Sequence, residues 1–474
     1  MNYSDRLLDF IEKAVSPFHA VKQTEEELNQ AGFKELKSDE SWSLENGGKY
    51  YVNHHGSTLF AFTLGKKDPT SGNLRIATAH SDFPCLRIKT NPDIKSDGYA
   101  SLNIEVYGGA ILNTWLDRPL SVAGRVAVKS DDVLHPDMRL IDIHRPVLTI
   151  PNVAIHINRD VNKGYELNKQ KEMLPMAGIL PSALAKSRDC GKACSDAGSA
   201  CAGGMISGSE AEDQGAFGAE LSDEQKKALD KDYFLNFLAH ELKVKKEDIL
   251  AFELCAYNCE KGCFVGINDD FISAPRLDNM TSVVSDIVGI TEASRDTGVN
   301  VMAIFDHEEI GSKTKQGAGS MALSNLIEKI YSALSGLSGQ ELFRNRLADA
   351  LLLSVDVGHA FHPYMSDKYD PVNRSLLNSG VVVKEAASQS YATDSEAIAV
   401  IMGMLKKFGI PYTAFVNRSD GTSGSTLGSI ASSYLPILTI DVGVPLLAMH
   451  SARELMGAKD EDALCELLKA FYSV

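Results

Sequence analysis

The chain of 474 residues has no surplus of positive charge. Its 47 Lys and Arg face 63 Asp and Glu, a formal net charge of −16. A general attraction to nucleic acid or to anionic lipid is thereby excluded, and a site for an acidic ligand must supply its own local cation. No basic stripe or aromatic platform speaks for a nucleic-acid module. No uninterrupted apolar run approaches the roughly 20 residues of a membrane-crossing helix. The first residues, Met1 to Arg6, have neither a basic n-region nor a long apolar h-region, so cytoplasmic residence is the expectation. The eight cysteines include no CxxC pair, and the evenly spaced Cys255, Cys259 and Cys263 lack a fourth ligand. Reduced thiols are expected rather than a disulfide framework or a metal cluster. Internal repeats are absent as well, which excludes a solenoid.

What is present is globular: 44% hydrophobic and 23% charged residues, in a chain long enough for two domains. Leu7, Leu8, Phe10, Ile11, Ala14 and Val15 fall at helical spacing, with Ser16 and Pro17 as the expected stop. Residues 74–79 read as a buried strand running into His80, Ser81 and Asp82. From about 98 to 159 the pattern becomes short alternating β segments, including 101–107 and 121–128, which suggests an inserted β-rich unit. A Gly, Ala, Ser and Cys-rich stretch at about 187–220 has too few large apolar residues to offset its ordering entropy and is expected to be a mobile loop. Residues 222–242 read as helix and 248–254 as strand. Further on, expected strands at 301–305, 351–355, 413–416 and 436–440 alternate with expected helices at 279–293, 321–337 and 395–408. That alternation predicts an α/β sheet covered by helices.

Chemistry concentrates at the strand ends. Asp306, His307, Glu308 and Glu309 follow an apolar strand, where adjacent carboxylates are costly unless they bind a cation or move a proton. His80, Asp278, Asp356 and His450 stand at comparable places. With Glu309 they make two imidazoles and three carboxylates, a set suited to zinc, cobalt or manganese rather than calcium. If one carboxylate bridges, two ions can share a site of the two-metal hydrolase type. Asp82 is placed to accept from the His80 ring and orient it. His54, His55, His135, His240 and His307 are read as ordinary core or surface histidines.

Several motifs, in order along nearly the whole chain, resemble the aspartyl aminopeptidase family of di-zinc metallopeptidases. They are Ser16-Pro17-Phe18-His19-Ala20, His80-Ser81-Asp82-Phe83-Pro84-Cys85-Leu86, Glu105-Val106-Tyr107-Gly108-Gly109 and Asn152-Val153-Ala154-Ile155-His156. Pro275-Arg276-Leu277-Asp278-Asn279, the stretch Asp306 to Ser312, Tyr391-Ala392-Thr393-Asp394 and Met449-His450-Ser451 complete the set. The resemblance implies a mixed sheet flanked by helices, of zinc exopeptidase type, with an inserted β-rich dimerisation domain. The catalytic part would be residues 1–90 plus 245–474, and the insertion 91–244. Two divalent ions are implied, zinc first and cobalt or manganese as substitutes. His80 and Asp356 would hold one, Glu309 and His450 the other, and Asp278 would bridge them. Glu308 would be the general base, and Asp82, orienting His80, is counted with it as catalytic.

His156, reaching a neighbouring subunit, together with His359, Lys384 and Tyr391, would contact a peptide with a free N-terminus. Dimers would build a tetrahedral dodecamer. The implied activity is removal of N-terminal Asp or Glu. The alternatives are a di-metal aminopeptidase of broad or neutral specificity, and a non-catalytic shell or cargo protein that keeps the fold. The sequence departs from the family pattern at the Cys-rich stretch and at His307, where asparagine is common.

Overall fold

The computed structural model describes residues 2–180, 183, 230–335, 339–421 and 424–474. The expected loop at 187–220, the first part of the expected helix at 222–242 and the end of that at 321–337 lie outside these residues. The described chain forms two compact units. One comprises Met1–Cys85, Val106–Trp115 and Tyr257–Val474, the other Leu86–Glu105 and Leu116–Ala256. Among the described residues, no helix is long and apolar enough to cross a membrane.

The first unit is a mixed nine-stranded sheet between helices. In spatial order its strands are Lys34–Glu35, Lys49–His54, Thr58–Leu64, Val299–Phe305, Leu74–His80, Leu351–Val355, Leu438–Gly443, Val381–Glu385 and Tyr412–Val416. Val299–Phe305, Leu74–His80, Leu351–Val355 and Leu438–Gly443 run parallel to one another at the centre. Val299–Phe305 and Leu74–His80 are buried at every position, as expected of strands covered on both faces. Val299, Val301, Ala303 and Phe305 pack one way, on Leu323, Ile327, Ile330 and Tyr331 of the helix Ala322–Ser335.

Leu277–Glu292 pairs with the helix Asp460–Ser473. Near the end of the latter, the Phe471 carbonyl accepts from the Arg75 guanidinium at 2.6 Å and the Tyr472 carbonyl from the Asn300 amide at 3.0 Å. The Tyr472 hydroxyl donates to the Val301 carbonyl at 3.1 Å. This helix therefore braces two central strands by side-chain and backbone hydrogen bonds as well as by packing.

Ser16 and Pro17 do not simply stop the first helix, which ends at Lys13. They open a second, Pro17–Gln30: the Ser16 hydroxyl accepts from the His19 amide, and Pro17 occupies the first turn, where no backbone donor is needed. Other helices end by similar chemistry. Ser395–Phe408 is capped by the Asp394 carboxylate, 2.9 Å from the Ala397 amide, and closes on Gly409 at φ 66°.

The second unit is built on a six-stranded sheet. Its order is Asp137–Asp142, Leu120–Val128, Ile249–Asn258, Cys85–Ser96, Tyr99–Tyr107 and Met176–Ile179. Gly124 lets two of these strands close up, since a β-carbon there would stand 2.1 Å from the Glu253 carbonyl.

Candidate metal centre

Three neighbouring strands of the nine-stranded sheet deliver acid or imidazole groups at their C-terminal ends, where open α/β sheets place their sites. His80 is the last residue of Leu74–His80, Asp356 follows Leu351–Val355, and Asp306 to Glu309 follow Val299–Phe305. Asp278 stands at the start of the helix Leu277–Glu292, and His450 follows the short strand Pro445–Leu447. His307 and His450 have φ of 65° and 67°, a left-handed backbone that non-glycine residues adopt at a cost and that turns the adjoining chain sharply.

These side chains converge on one another. The His80 Nε2 lies 3.3 Å from Asp278 Oδ1 and 3.6 Å from Asp356 Oδ1. The His450 Nε2 lies 3.4 Å from both Asp278 Oδ2 and Glu309 Oε2. Two triads result, His80 with Asp278 and Asp356, and Asp278 with Glu309 and His450, each with ligand atoms within 4.8 Å of one another. Asp278 belongs to both. Its Oδ1 and the Oε1 of Glu309 are buried and make no hydrogen bond. Buried carboxylate oxygens in that state are costly unless a cation meets them. The donor set, imidazole nitrogen and carboxylate oxygen, therefore fits two divalent ions sharing Asp278.

The electrostatics point the same way. Burial, with Asp278 adding to it, pushes the Glu309 carboxyl well above its ordinary range. Burial also pushes Glu308 up to about 8, against the opposing pull of His80. For His450, burial disfavours the charged ring, but Asp278 and Glu309 prevail and hold its pKa up to about 10. Such groups hold protons that a metal ion would displace.

Asp82 is fully buried and organises the turn that carries both glutamates. Its Oδ1 accepts from the Glu308 amide and its Oδ2 from the Glu309 amide, each at 3.1 Å, and the Tyr107 hydroxyl donates to Oδ2 at 2.7 Å. The His80 Nδ1 is nearer the Asp82 backbone carbonyl, at 3.0 Å, than the Asp82 carboxylate, at 3.4 Å. The carbonyl thus sets the ring tautomer while the carboxylate serves the turn.

Glu454, which sequence reasoning left without a role, does the corresponding work on the other side. Its Oε2 accepts from the Asp278 amide at 3.1 Å and its Oε1 from the His450 amide at 2.8 Å. A carboxylate inside the buried strand Glu454–Gly457 was the available signal.

A cleft of about 500 Å³ opens on this cluster. Its lining includes Glu308, His359, Lys384, Tyr391 and Thr426 beside the candidate ligands. Lys384 is fully buried, and its ammonium donates to the Asp356 and Val357 carbonyls at 3.1 and 3.2 Å. It stands 5.2 Å from the centre of the Tyr391 ring. His156 belongs to the second compact unit, where it is exposed.

The family description "Aminopeptidase I zinc metalloprotease (M18)" matches residues 10–472. A probable M18 family aminopeptidase 2 of Clostridium novyi is 40% identical over 100% of this chain and 99% of its own length. An aspartyl aminopeptidase of Aspergillus oryzae is 35% identical over 98% of this chain and 94% of its own. Among solved structures, a cryo-EM structure of an Ape4 and Nbr1 complex superposes with a TM-score of 0.85 at 30% identity, over 99% of this chain and 85% of that one. An M18 aminopeptidase from Thermotoga maritima shares the fold, with a TM-score of 0.80 at 22% identity over 99% of this chain and 96% of its own. A match of this extent, over a chain whose imidazoles and carboxylates gather at adjoining strand ends, has one reading: the chain belongs to the M18 family of zinc metallo-aminopeptidases, hydrolases of the exopeptidase type.

Proposed function

We propose that this aminopeptidase removes N-terminal Asp or Glu from peptides, using two divalent ions, zinc foremost. The observation that carries the acidic preference is Lys384, a buried cation in the wall of the cleft that holds the candidate ligands. An ammonium has three donors: two go to backbone carbonyls, and the Asp356 carboxylate stands 3.9 Å away, beyond hydrogen-bond distance, which leaves one donor for a substrate carboxylate. The aspartyl aminopeptidase name of the Aspergillus oryzae relative supports the same reading.

His80 and Asp356 would hold one ion, Glu309 and His450 the other, with Asp278 shared. Bound there, the ions would make a water nucleophilic at neutral pH and polarise the scissile carbonyl. Glu308, in the cleft wall and outside both triads, would accept the proton of the attacking water and return it to the leaving amine. Asp82 would keep Glu308 and Glu309 in register by holding their amides. Tyr391 and His359 would flank the substrate, and His156 of the partner subunit would complete the site.

Residues 91–244 would serve as the dimerisation domain of a dodecamer. Val153, Ile155 and Ile157, exposed in the second unit, offer apolar surface that assembly would cover. The thiols of Cys263 and Cys465, which form no disulfide, suit a reducing, cytoplasmic setting.

The deciding experiment is turnover of Asp, Glu, Leu and Lys aminoacyl amides by metal-stripped protein, before and after Zn²⁺, Co²⁺ or Mn²⁺ is restored. Metal-dependent cleavage confined to Asp and Glu supports the proposal. Equal cleavage of Leu leaves the mechanism and removes the acidic preference. No cleavage with any metal would favour a non-catalytic shell protein.

A further inference from the structure

Asp441 is a carboxylate the proposed chemistry does not use, and it is wholly buried. It lies on the strand Leu438–Gly443, directly opposite Lys384 of Val381–Glu385 in an antiparallel pair, so both side chains point to the same face of the sheet. Its Oδ2 accepts from the Ala392 amide at 2.6 Å, and its Oδ1 from the Thr426 hydroxyl at 2.5 Å. Its own amide donates to the Thr393 hydroxyl at 2.8 Å. Gly428 closes the remaining side: a β-carbon there would stand 2.8 Å from Asp441 Oδ1.

These bonds join segments that are remote in sequence and adjacent in the cleft. Ala392 follows Tyr391, and both Tyr391 and Thr426 line the cleft with Lys384. A single buried carboxylate thus anchors both loops and stands opposite the cation they surround. Ordinary core packing would not select a carboxylate here, because burying one is costly unless its oxygens meet donors and its charge meets a cation.

We propose that Asp441 is the positioning residue of the substrate side-chain pocket: it fixes the loops bearing Tyr391 and Thr426 around Lys384 and thereby sets the selectivity for an acidic first residue. The inference rests on the reading of Lys384 as the group that meets the substrate's carboxylate. Asp441 itself does not touch substrate. Its effect is expected in KM and in the ratio between substrates, with a smaller effect on kcat.

The test compares Asp441→Asn, Thr426→Val, Thr426→Ser and Lys384→Met with the unaltered enzyme. All are loaded with zinc, checked for zinc content, and assayed on Asp and Leu aminoacyl amides. Asparagine can still accept from the Ala392 amide and donate to the Thr426 oxygen, but only as a neutral group, so Asp441→Asn keeps the shape and replaces two charge-assisted anchors by weaker ones. Thr426→Val removes one anchor and keeps the charge, and Thr426→Ser restores the anchor.

The expected result is a tenfold or greater fall in the Asp-to-Leu ratio of kcat/KM for Asp441→Asn and Thr426→Val, carried mainly by KM for Asp. Thr426→Ser should recover most of it. If Lys384→Met lowers the ratio while Asp441→Asn and Thr426→Val leave it within twofold, Asp441 has no positioning role and the reading of Lys384 stands. If Lys384→Met leaves the ratio unchanged, or the unaltered enzyme shows no Asp preference, the reading of Lys384 fails and this inference with it. Should Asp441→Asn not fold, the contrast between Thr426→Val and Thr426→Ser decides, and equal ratios in those two overturn the proposal.

Discussion

Replacing Asp82 by Asn tests whether the buried carboxylate holds the turn of Glu308 and Glu309 in working geometry. The change keeps the shape and removes the charge. Asp82 accepts from two turn amides, one on each oxygen, and from the Tyr107 hydroxyl. Asparagine has one acceptor oxygen, so its NH₂ group must face one of the amides that the carboxylate received. A hydrogen bond to a charged acceptor contributes about 1.5–3 kcal/mol. If that energy is lost where Glu308 is aligned for reaction, kcat/KM should fall about 10- to 150-fold. Tyr107→Phe deletes the donor that shares Oδ2 with the Glu309 amide and leaves both amide bonds intact, so its loss should stay below about tenfold. The assay is kcat/KM on an Asp aminoacyl amide with zinc in excess, alongside zinc content and thermal unfolding. Full activity in Asp82→Asn would refute the argument. So would a loss matched by Tyr107→Phe, because the two amide bonds would then carry no special weight.

Other perturbations separate the remaining roles. Glu308→Gln should retain zinc and abolish turnover; unchanged turnover would remove Glu308 as the base. His156→Ala should lower activity in assembled enzyme, and an equal defect in an active monomer, identified by light scattering, would contradict a role in the partner subunit's site. Burial raises the pKa of Glu461 well above 4.5 and that of Asp286 well above 3.8 in the folded chain. For raised carboxyls the folded state holds the extra proton, so their stabilisation is complete below the unfolded pKa and is lost as pH rises towards the folded value. Each should cost about 1.4 kcal/mol per pH unit within that window. Glu461→Gln should flatten the decline of unfolding free energy towards alkaline pH, and a slope equal to that of the unaltered protein would refute this.

What the sequence conveyed about the site follows from where strands end. His80, Asp356 and the Glu308–Glu309 pair sit immediately after apolar runs, and a run of that kind reads as a buried strand without tertiary knowledge. Asp278 and His450 were read in the same way, at turns, although each enters from a different loop. Glu454 and Asp441 were illegible for a physical reason: their partners are backbone amides and hydroxyls that only the folded chain brings opposite them. Ser16 and Pro17 show a related limit, since the same residues can close one helix or open the next. The structure decides by the amide that the serine meets. The strand and helix alternation of the second half was legible to within a few residues at most ends, since covered parallel strands are nearly all apolar.

The helix Asp460–Ser473 has a consequence for the enzyme's life history. Through Phe471 and Tyr472 it grips the strands that end at His80 and Phe305, yet it is made after every candidate ligand. A ribosome that stalls before residue 460 would release all the candidate ligands and the base without the brace that holds their strands. Such a fragment should be inert, and one that cleaves aminoacyl amides would disprove the point. The making of this helix would then be one condition for activity, set beside metal loading and assembly.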